Sequence, residues 1–324
     1  VRVFDAKAYQ TAAFLEQNAR PEFGFALEFL EEKLTAATVE QARGAHAVCV
    51  FVHDSVDAAV AQALVGMGIE MVAYRCAGFD TCNVAAADAA GLSVARVPSY
   101  SPNAIAEHAA GLILCLNRKL IWASARVHTG DFSLDGLVGF DLKGKTAGVV
   151  GTGKIGACLV SILLGFGCRV LCHDVYKNPA LLANPAVQYV EMGELLAQSD
   201  IISLHAPLMP ETHHLVNAST IAQMKRGVML INTSRGPLVD TRALIDALKS
   251  GQVGSCGLDV VEGENDYFYE NRSDLPVTDD GIAHLLSFAN RVIVTAHQAF
   301  LTHEALREIA ATTLRNIADF HQGK

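Results

Sequence analysis

Short runs of apolar, often β-branched residues recur along the chain and alternate with stretches whose apolar positions repeat every three or four residues. Residues 1–4, 48–52, 70–74 and 92–95 read as strands, and amphipathic segments such as 58–67 separate them. Strands alternating with helices form βαβ units, which implies a parallel sheet covered by helices. Pro98 and Pro102 then punctuate the chain, and a helical pattern follows from residue 104 to about 126. After the turn-rich stretch HTGDFSLDGLVGFDLKGK a second βα series begins. Its predicted strands are TAGVV (146–150), RVLCH (169–173), DIISL (200–204), VMLIN (228–232), SCGLDV (255–260) and RVIVT (291–295). A last helical pattern, from 304 to about 320, is expected to return to the first unit. The expected organisation is one α/β domain at 1–101 plus 298–324, with a second, 102–297, inserted into it.

Composition narrows the classes of function. With 51% hydrophobic and 18% charged residues, a chain of 324 residues has ample material for large buried cores and is not a disordered segment. A formal charge of −9 argues against nucleic acid or an anionic membrane surface as a partner. A small anionic substrate stays open, because one local Arg overrides the global sign. The apolar run 155–168, between Lys154 and Arg169, is too short to span a bilayer. No charged-then-apolar segment opens the sequence. The eight cysteines show no CxxC and no paired Cys/His spacing, which fits reduced thiols and a cytoplasmic location. His213 and His214 look like a metal pair. No carboxylate or cysteine stands at ligand spacing beside them, so no metal is expected.

The sharpest motif is GTGKIG, with Gly151, Gly153 and Gly156 directly after the strand TAGVV and opening a helix. The first glycine serves a tight turn, the second lets backbone approach a pyrophosphate, and the third allows close helix–strand packing. The helix N-terminus favours the anion. Asp174 ends the next strand, where a carboxylate hydrogen-bonds ribose hydroxyls and repels a 2′-phosphate; NAD is therefore expected rather than NADP.

Polar residues collect just beyond the predicted strands of the second series, where ligands bind in open α/β sheets. His205 follows DIISL; Thr233, Ser234 and Arg235 follow VMLIN; Asp259 and Glu264 follow GL; His297 follows RVIVTA. Each alone has a structural explanation, but together they supply what reduction of a 2-oxo acid requires. Arg235 grips a carboxylate bidentately and polarises the carbonyl. His297 donates the proton to the developing alkoxide. Glu264 orients the imidazole and favours its protonated form.

The sequence resembles the D-2-hydroxyacid dehydrogenase family, most of all its D-lactate branch. The resemblance rests on RCAGFD (75–80), VPSYSPNAIAEHAAGLIL (97–114), GKTAGVVGTGKIG (144–156), SLHAPLMPETHHLVN (203–217), NTSRGPLVD (232–240), GLDVVEGE (257–264) and HQAFLTHEAL (297–306). It implies two Rossmann-like or flavodoxin-like parallel-sheet domains with the active site in the cleft between them. It implies hydride transfer from NADH to pyruvate, reversibly, with Arg235, Glu264 and His297 as the catalytic set. Cofactor contacts carry over to Lys154, Ile155, Asp174, Ala206, Pro207, Thr212, Thr233, Ser234 and Asp259, the last towards the nicotinamide carboxamide. The amides of Ala77 and Gly78 would help Arg235 hold the carboxylate, and Tyr100 and Phe300 would line the side-chain pocket. A homodimer or homotetramer is implied, because the family packs the helix around 109–116 between subunits. Three departures touch the choice of acid: Val261 replaces an aromatic, no Pro follows Glu264, and Phe300 replaces the Tyr of some relatives. The rival expectations are a bulkier substrate, such as phenylpyruvate or hydroxypyruvate, and a dinucleotide-sensing binding protein of the co-repressor kind.

Overall fold

The apolar runs become the inner strands of two all-parallel sheets. In the computed structural model, which describes residues 1–324, the chain divides into two units: Val1–Ser101 with Leu301–Lys324, and Pro102–Phe300.

The first unit holds strands β1 (Arg2–Val3), β2 (Glu28–Phe29), β3 (Ala47–Val50), β4 (Met71–Tyr74) and β5 (Ser93–Arg96), in the order β2-β1-β3-β4-β5. AVCV and MVAY are buried at every position, as expected for central strands of a sheet covered on both faces. One cover is the C-terminal helix His303–His321. It starts where the Thr302 hydroxyl accepts from the Ala305 amide, and it buries Ala305, Ile309, Ala310, Leu314 and Ile317. That face joins Val3, Phe14 and Cys49 in one cluster and Ala47, Met71 and Ala73 in another. The helix therefore does return to the first unit.

The second unit holds β6 (Thr146–Val150), β7 (Arg169–His173), β8 (Val187–Tyr189), β9 (Ile201–Leu204), β10 (Val228–Asn232), β11 (Val253–Leu258) and β12 (Val292–Val294). Their order is β12-β11-β10-β9-β6-β7-β8, with every pairing parallel. The chain runs outward from β6 to β8, then returns to β9 beside β6 and runs outward the other way. The crevice between β6 and β9 is the switch point at which ligands bind in doubly wound sheets. Apolar clusters cover both faces: one contains Leu204, Leu230, Leu258 and Val292, the other Val149, Leu159, Val170 and Ile231.

The structure departs from the sequence expectation in three places. The pattern from 104 to 126 forms two helices, Pro102–Arg118 and Leu120–His128, broken at Lys119, whose φ of 55° is left-handed. Periodicity does not reveal the break, because the second helix buries none of its residues. The two- and three-residue strands β2 and β8 are too short to show alternation. Gln298, Ala299 and Phe300 stay with the second unit, because the amides of Gln298 and Ala299 donate to the Asp259 carboxylate at 2.9 Å.

Candidate active site

The glycine loop follows β6 at the switch point, and each of its glycines meets a different constraint. Gly151 has φ of 90°, and a Cβ there would stand 2.6 Å from the His205 carbonyl carbon. A Cβ on Gly156 would collide with the Gly151 carbonyl oxygen, so helix and strand approach too closely for any side chain. Gly153, the N-cap of helix Lys154–Gly165, has no protein atom where a Cβ would sit. Its bareness serves no packing purpose; it leaves room for a ligand's backbone-bound anion beside Lys154 and Ile155.

Asp174, just after β7, is tied to this loop. Its Oδ2 accepts from the amide and hydroxyl of Thr152 at 2.5 and 2.9 Å, and Oδ1 accepts from the Tyr176 amide at 3.0 Å. Partial burial works against its charge, but the Thr152 and Tyr176 donors outweigh it and hold the carboxyl below its ordinary value. The Tyr189 hydroxyl donates to Thr152 Oγ1 at 2.9 Å and completes the brace. Sequence reasoning did not single out Thr152, Tyr189 or the exposed pair Val175 and Tyr176, which flank Asp174 on its solvent side. Their signal was only adjacency to a motif.

After β9, His205 Nε2 lies 2.9 Å from Ser203 Oγ. Burial pushes its pKa down to about 4, so the ring is neutral and serves the packing of the loop rather than proton transfer. Ala206 is buried and its carbonyl accepts from Ser234 Oγ at 2.6 Å; Thr212 Oγ1 donates to the Pro207 carbonyl at 2.7 Å. Thr233, next to Ser234, carries a buried hydroxyl with no hydrogen-bond partner within the protein. A buried hydroxyl left unpaired costs free energy, unless a ligand satisfies it. The open cradle at Gly153, the braced carboxylate of Asp174 and the unpartnered hydroxyl of Thr233 all fit a dinucleotide.

Three neighbouring strands place the candidate acid–base residues. β10 pairs with β11 and β11 with β12, so the segments after them emerge side by side from one sheet edge. Arg235 follows β10; its Nη1 donates to the Ser234 carbonyl at 2.8 Å, and its own carbonyl accepts from Asn232 Nδ2 at 2.9 Å. The next residue, Gly236, has no room for a Cβ, which would lie 2.7 Å from the Glu262 amide nitrogen. This close approach brings the Arg235 turn against the segment that carries Glu264.

Glu264 and His297 form a short contact. Glu264 Oε1 lies 2.7 Å from His297 Nδ1, and Glu264 Oε2 accepts from the Val261 amide at 2.9 Å. The two side chains are 14% and 20% exposed, so the pair is shielded but reachable. His297 takes a left-handed φ of 50°, held by its amide donating to the Asp259 carbonyl at 2.8 Å and its carbonyl accepting from Tyr269 OH at 2.9 Å. With Nδ1 occupied by Glu264, Nε2 is the nitrogen left to face a substrate. Asp259 is fully buried and accepts from the Thr295 hydroxyl and from the Gln298 and Ala299 amides. It is the bracket of the His297 turn, a role the motif alone did not reveal. His108 Nε2, from helix Pro102–Arg118, adds a contact to Thr295 at 3.1 Å.

Of the proposed substrate contacts, Ala77 and Gly78 lie in the loop after β4 of the first unit. Their carbonyls accept from Arg96 and from the Cys76 thiol. Tyr100 precedes the end of that unit, and Phe300 is buried in the second.

Residues 110–299 match the family described as D-isomer specific 2-hydroxyacid dehydrogenase, NAD binding domain. This chain belongs to that family. It is an NAD-dependent oxidoreductase that acts on CH–OH groups. The D-lactate dehydrogenase of Escherichia coli (strain K12) is 46% identical over 99% of this chain and 97% of its own length. A solved structure described as the pyruvate reductase of Chlamydomonas reinhardtii superposes with a TM-score of 0.93 at 43% identity, covering 100% of this chain and 96% of that one. The NAD-complexed D-isomer specific 2-hydroxyacid dehydrogenase of Lactobacillus delbrueckii ssp. bulgaricus superposes at 0.80 with 30% identity, covering 99% and 97%. For this dehydrogenase the two-sheet α/β architecture expected from the sequence is the one observed. No helix is long and apolar enough to cross a membrane, and all eight cysteines are free thiols.

Proposed function

We propose that this dehydrogenase interconverts pyruvate and D-lactate. The observation that carries the reading is the Glu264–His297 contact at 2.7 Å, set on the same sheet edge as the turn that bears Arg235. Bound NADH supplies the hydride. Gly151, Gly153, Lys154, Ile155 and Gly156 receive its pyrophosphate, and Asp174 takes the adenosine ribose. Ala206, Pro207, Thr212, Thr233 and Ser234 line the nicotinamide half, and Asp259 keeps lone pairs for the carboxamide.

Arg235 binds the substrate carboxylate through its planar fork; the assignment of the Ala77 and Gly78 amides to the substrate rests on the family resemblance alone. As the imidazolium, His297 donates its Nδ1 proton in a hydrogen bond to Glu264 and delivers its Nε2 proton to the carbonyl oxygen as charge develops there, leaving the neutral ring with its remaining proton on Nδ1 towards Glu264. In the reverse direction Nε2 removes the hydroxyl proton. The family resemblance assigns Tyr100 and Phe300 to the substrate side chain, and a preference for a methyl over a phenyl group there is part of the proposal. The names of the relatives, a D-lactate dehydrogenase and a pyruvate reductase, support this acid.

The protein works as a homo-oligomer in the cytoplasm. Helix Leu120–His128 buries none of its residues, and Phe132, Leu134 and Val138 beyond it are 75%, 79% and 88% exposed. Apolar surface of this kind is covered by a second copy.

The test is NADH oxidation with pyruvate, 2-oxobutyrate, phenylpyruvate, hydroxypyruvate and glyoxylate, with chiral analysis of the product. The expected result is the highest kcat/KM with pyruvate, yielding D-lactate. A higher value for phenylpyruvate or hydroxypyruvate would reassign the substrate. Tight NADH binding without any turnover would point to the dinucleotide-sensing alternative.

A further inference from the structure

The pair His213–His214 lacks a carboxylate at ligand spacing in the sequence, and the fold supplies one from 48 residues along the chain. Glu262 Oε1 lies 2.7 Å from His214 Nε2, and the His213 and His214 rings stand 4.0 Å apart between centroids. One ligand atom from each of His213, His214 and Glu262 fits within 4.8 Å of the others. We propose that these three side chains form a binding site for a divalent transition metal of the zinc class.

The donor set selects the ion. Two imidazoles and one carboxylate suit Zn²⁺ and its neighbours, whereas Mg²⁺ and Ca²⁺ require oxygen ligands. Tetrahedral coordination at the usual bond lengths places ligand atoms about 3.4 Å apart. The His214–Glu262 edge therefore opens by about 0.7 Å, and the widest edge closes by at most about 1.4 Å. Rotation of His213, which is exposed, is enough for the latter. Three protein ligands leave a fourth position for water.

The other two ligands are already oriented. Glu262 Oε2 accepts from the Thr241 amide at 3.0 Å, the outer support a metal-binding carboxylate needs. His214 is fixed by its amide donating to the Pro237 carbonyl at 2.8 Å and its carbonyl accepting from Asn217 Nδ2 at 2.8 Å, with φ of 50°. Partial burial opposes the charge of Glu262, but the His214 and Thr241 donors prevail and keep the carboxylate ionised. Glu262 also lines a cavity of about 480 Å³ that holds five carboxylates, Glu262 among them, against two fixed cations, Arg242 and Lys249. A structural reading, in which His214 and Glu262 simply pair, accounts for two of the residues but gives His213 no part.

Coordination through His214 Nε2 moves the ring proton to Nδ1, so that Nε2 and the Glu262 carboxylate can both bind the ion while protons in solution compete for the same ligand atoms. Affinity must therefore fall in acid. The ion would join the segment bearing Pro207 and Thr212 to the segment bearing Glu264, two parts of the same unit.

The test is calorimetric titration of the whole chain with ZnCl₂ under reducing conditions, alongside His213→Ala and Glu262→Gln, with Co²⁺ as a spectroscopic probe. The expected result is one Zn²⁺ per chain, affinity at least about tenfold weaker in each variant, and weaker binding at about pH 5.5 than at about pH 7.5. The Co²⁺ complex should lack a thiolate charge-transfer band. Absence of binding, unchanged affinity in His213→Ala, or a thiolate band from the free cysteines would overturn the proposal.

Discussion

The two parallel sheets place charged and polar residues at the same kind of edge and use them in opposite ways. In the first unit that edge is filled by the protein itself. Arg75, fully buried just after β4, donates to Gln10 Oε1 at 3.1 Å and to the Asp5 carbonyl at 2.7 Å, and lies over the Phe51 ring at 4.8 Å. Asp54, after β3, accepts from the Leu34 amide at 2.6 Å and from the Phe51 amide, while Asp5 meets Lys7 at 2.8 Å. In the second unit the corresponding edge has open space at Gly153, an unpartnered hydroxyl on Thr233, and His297 in a left-handed turn. The first edge is packed with the protein's own side chains, although Gln10 Nε2 beside Arg75 has no hydrogen-bond partner there, whereas the second has open space at its glycine loop. Strand-end position alone does not tell the two apart.

Exchanging the roles breaks the comparison most sharply. Arg75→Ala should destabilise the protein by about 3–5 kcal/mol, because it removes the cation facing a buried carboxylate. Burial already pushes Asp54 up to about 6, and Arg75 is the main influence pulling it back. Thermal or urea unfolding measures the loss, and a change below about 1 kcal/mol would mean the buried network is dispensable.

Arg235→Ala should do the reverse. The expected loss is about 2–5 kcal/mol in kcat/KM for pyruvate, roughly 30- to several-thousand-fold, with the unfolding midpoint little altered. Steady-state kinetics beside a melting curve separates the two.

The glycines sharpen the same contrast within one loop. Gly156→Ala meets the Gly151 carbonyl and should cost about 1–3 kcal/mol of stability. Gly153→Ala adds a Cβ that meets no protein atom within 4 Å, so it should leave the fold intact and instead weaken NADH binding, read by fluorescence titration.

A pH-dependent effect comes from His205. Its folded pKa, about 4, lies below the ordinary value of 6.5, so the neutral folded form contributes fully above about pH 6.5. As pH falls from there towards 4, the unfolded chain takes up a proton that the folded one refuses. Stability should decline by up to about 1.4 kcal/mol per pH unit in that window. His205→Gln should flatten the slope, measured by urea unfolding across pH.

Much of this was legible in the sequence. TAGVV, RVLCH and VMLIN became strands residue for residue, because parallel strands covered on both faces read as near-continuous apolar runs, even where RVLCH is bounded by the exposed Arg169 and the partly buried His173. The glycine spacing also anticipated where backbone approaches backbone too closely for a side chain, at Gly151 and Gly156, and where space is left open, at Gly153. What stayed hidden depends on contacts distant in sequence. The break at Lys119 lies between two apolar stretches with no glycine or proline to mark it. Asp259 could be named as a ligand contact, but its grip on Thr295, Gln298 and Ala299 could not, and that grip moved the unit boundary. Glu262 stood too far from His213 and His214 along the chain to be counted with them.

The central claim is that His297 transfers the proton while other residues hold the cofactor. The most direct measurement is kcat/KM for pyruvate together with the NADH dissociation constant in His297→Gln. The account predicts a fall of about 10²–10⁴-fold in the first with the second within about twofold of the unaltered enzyme. Retention of kcat/KM in the variant would contradict it.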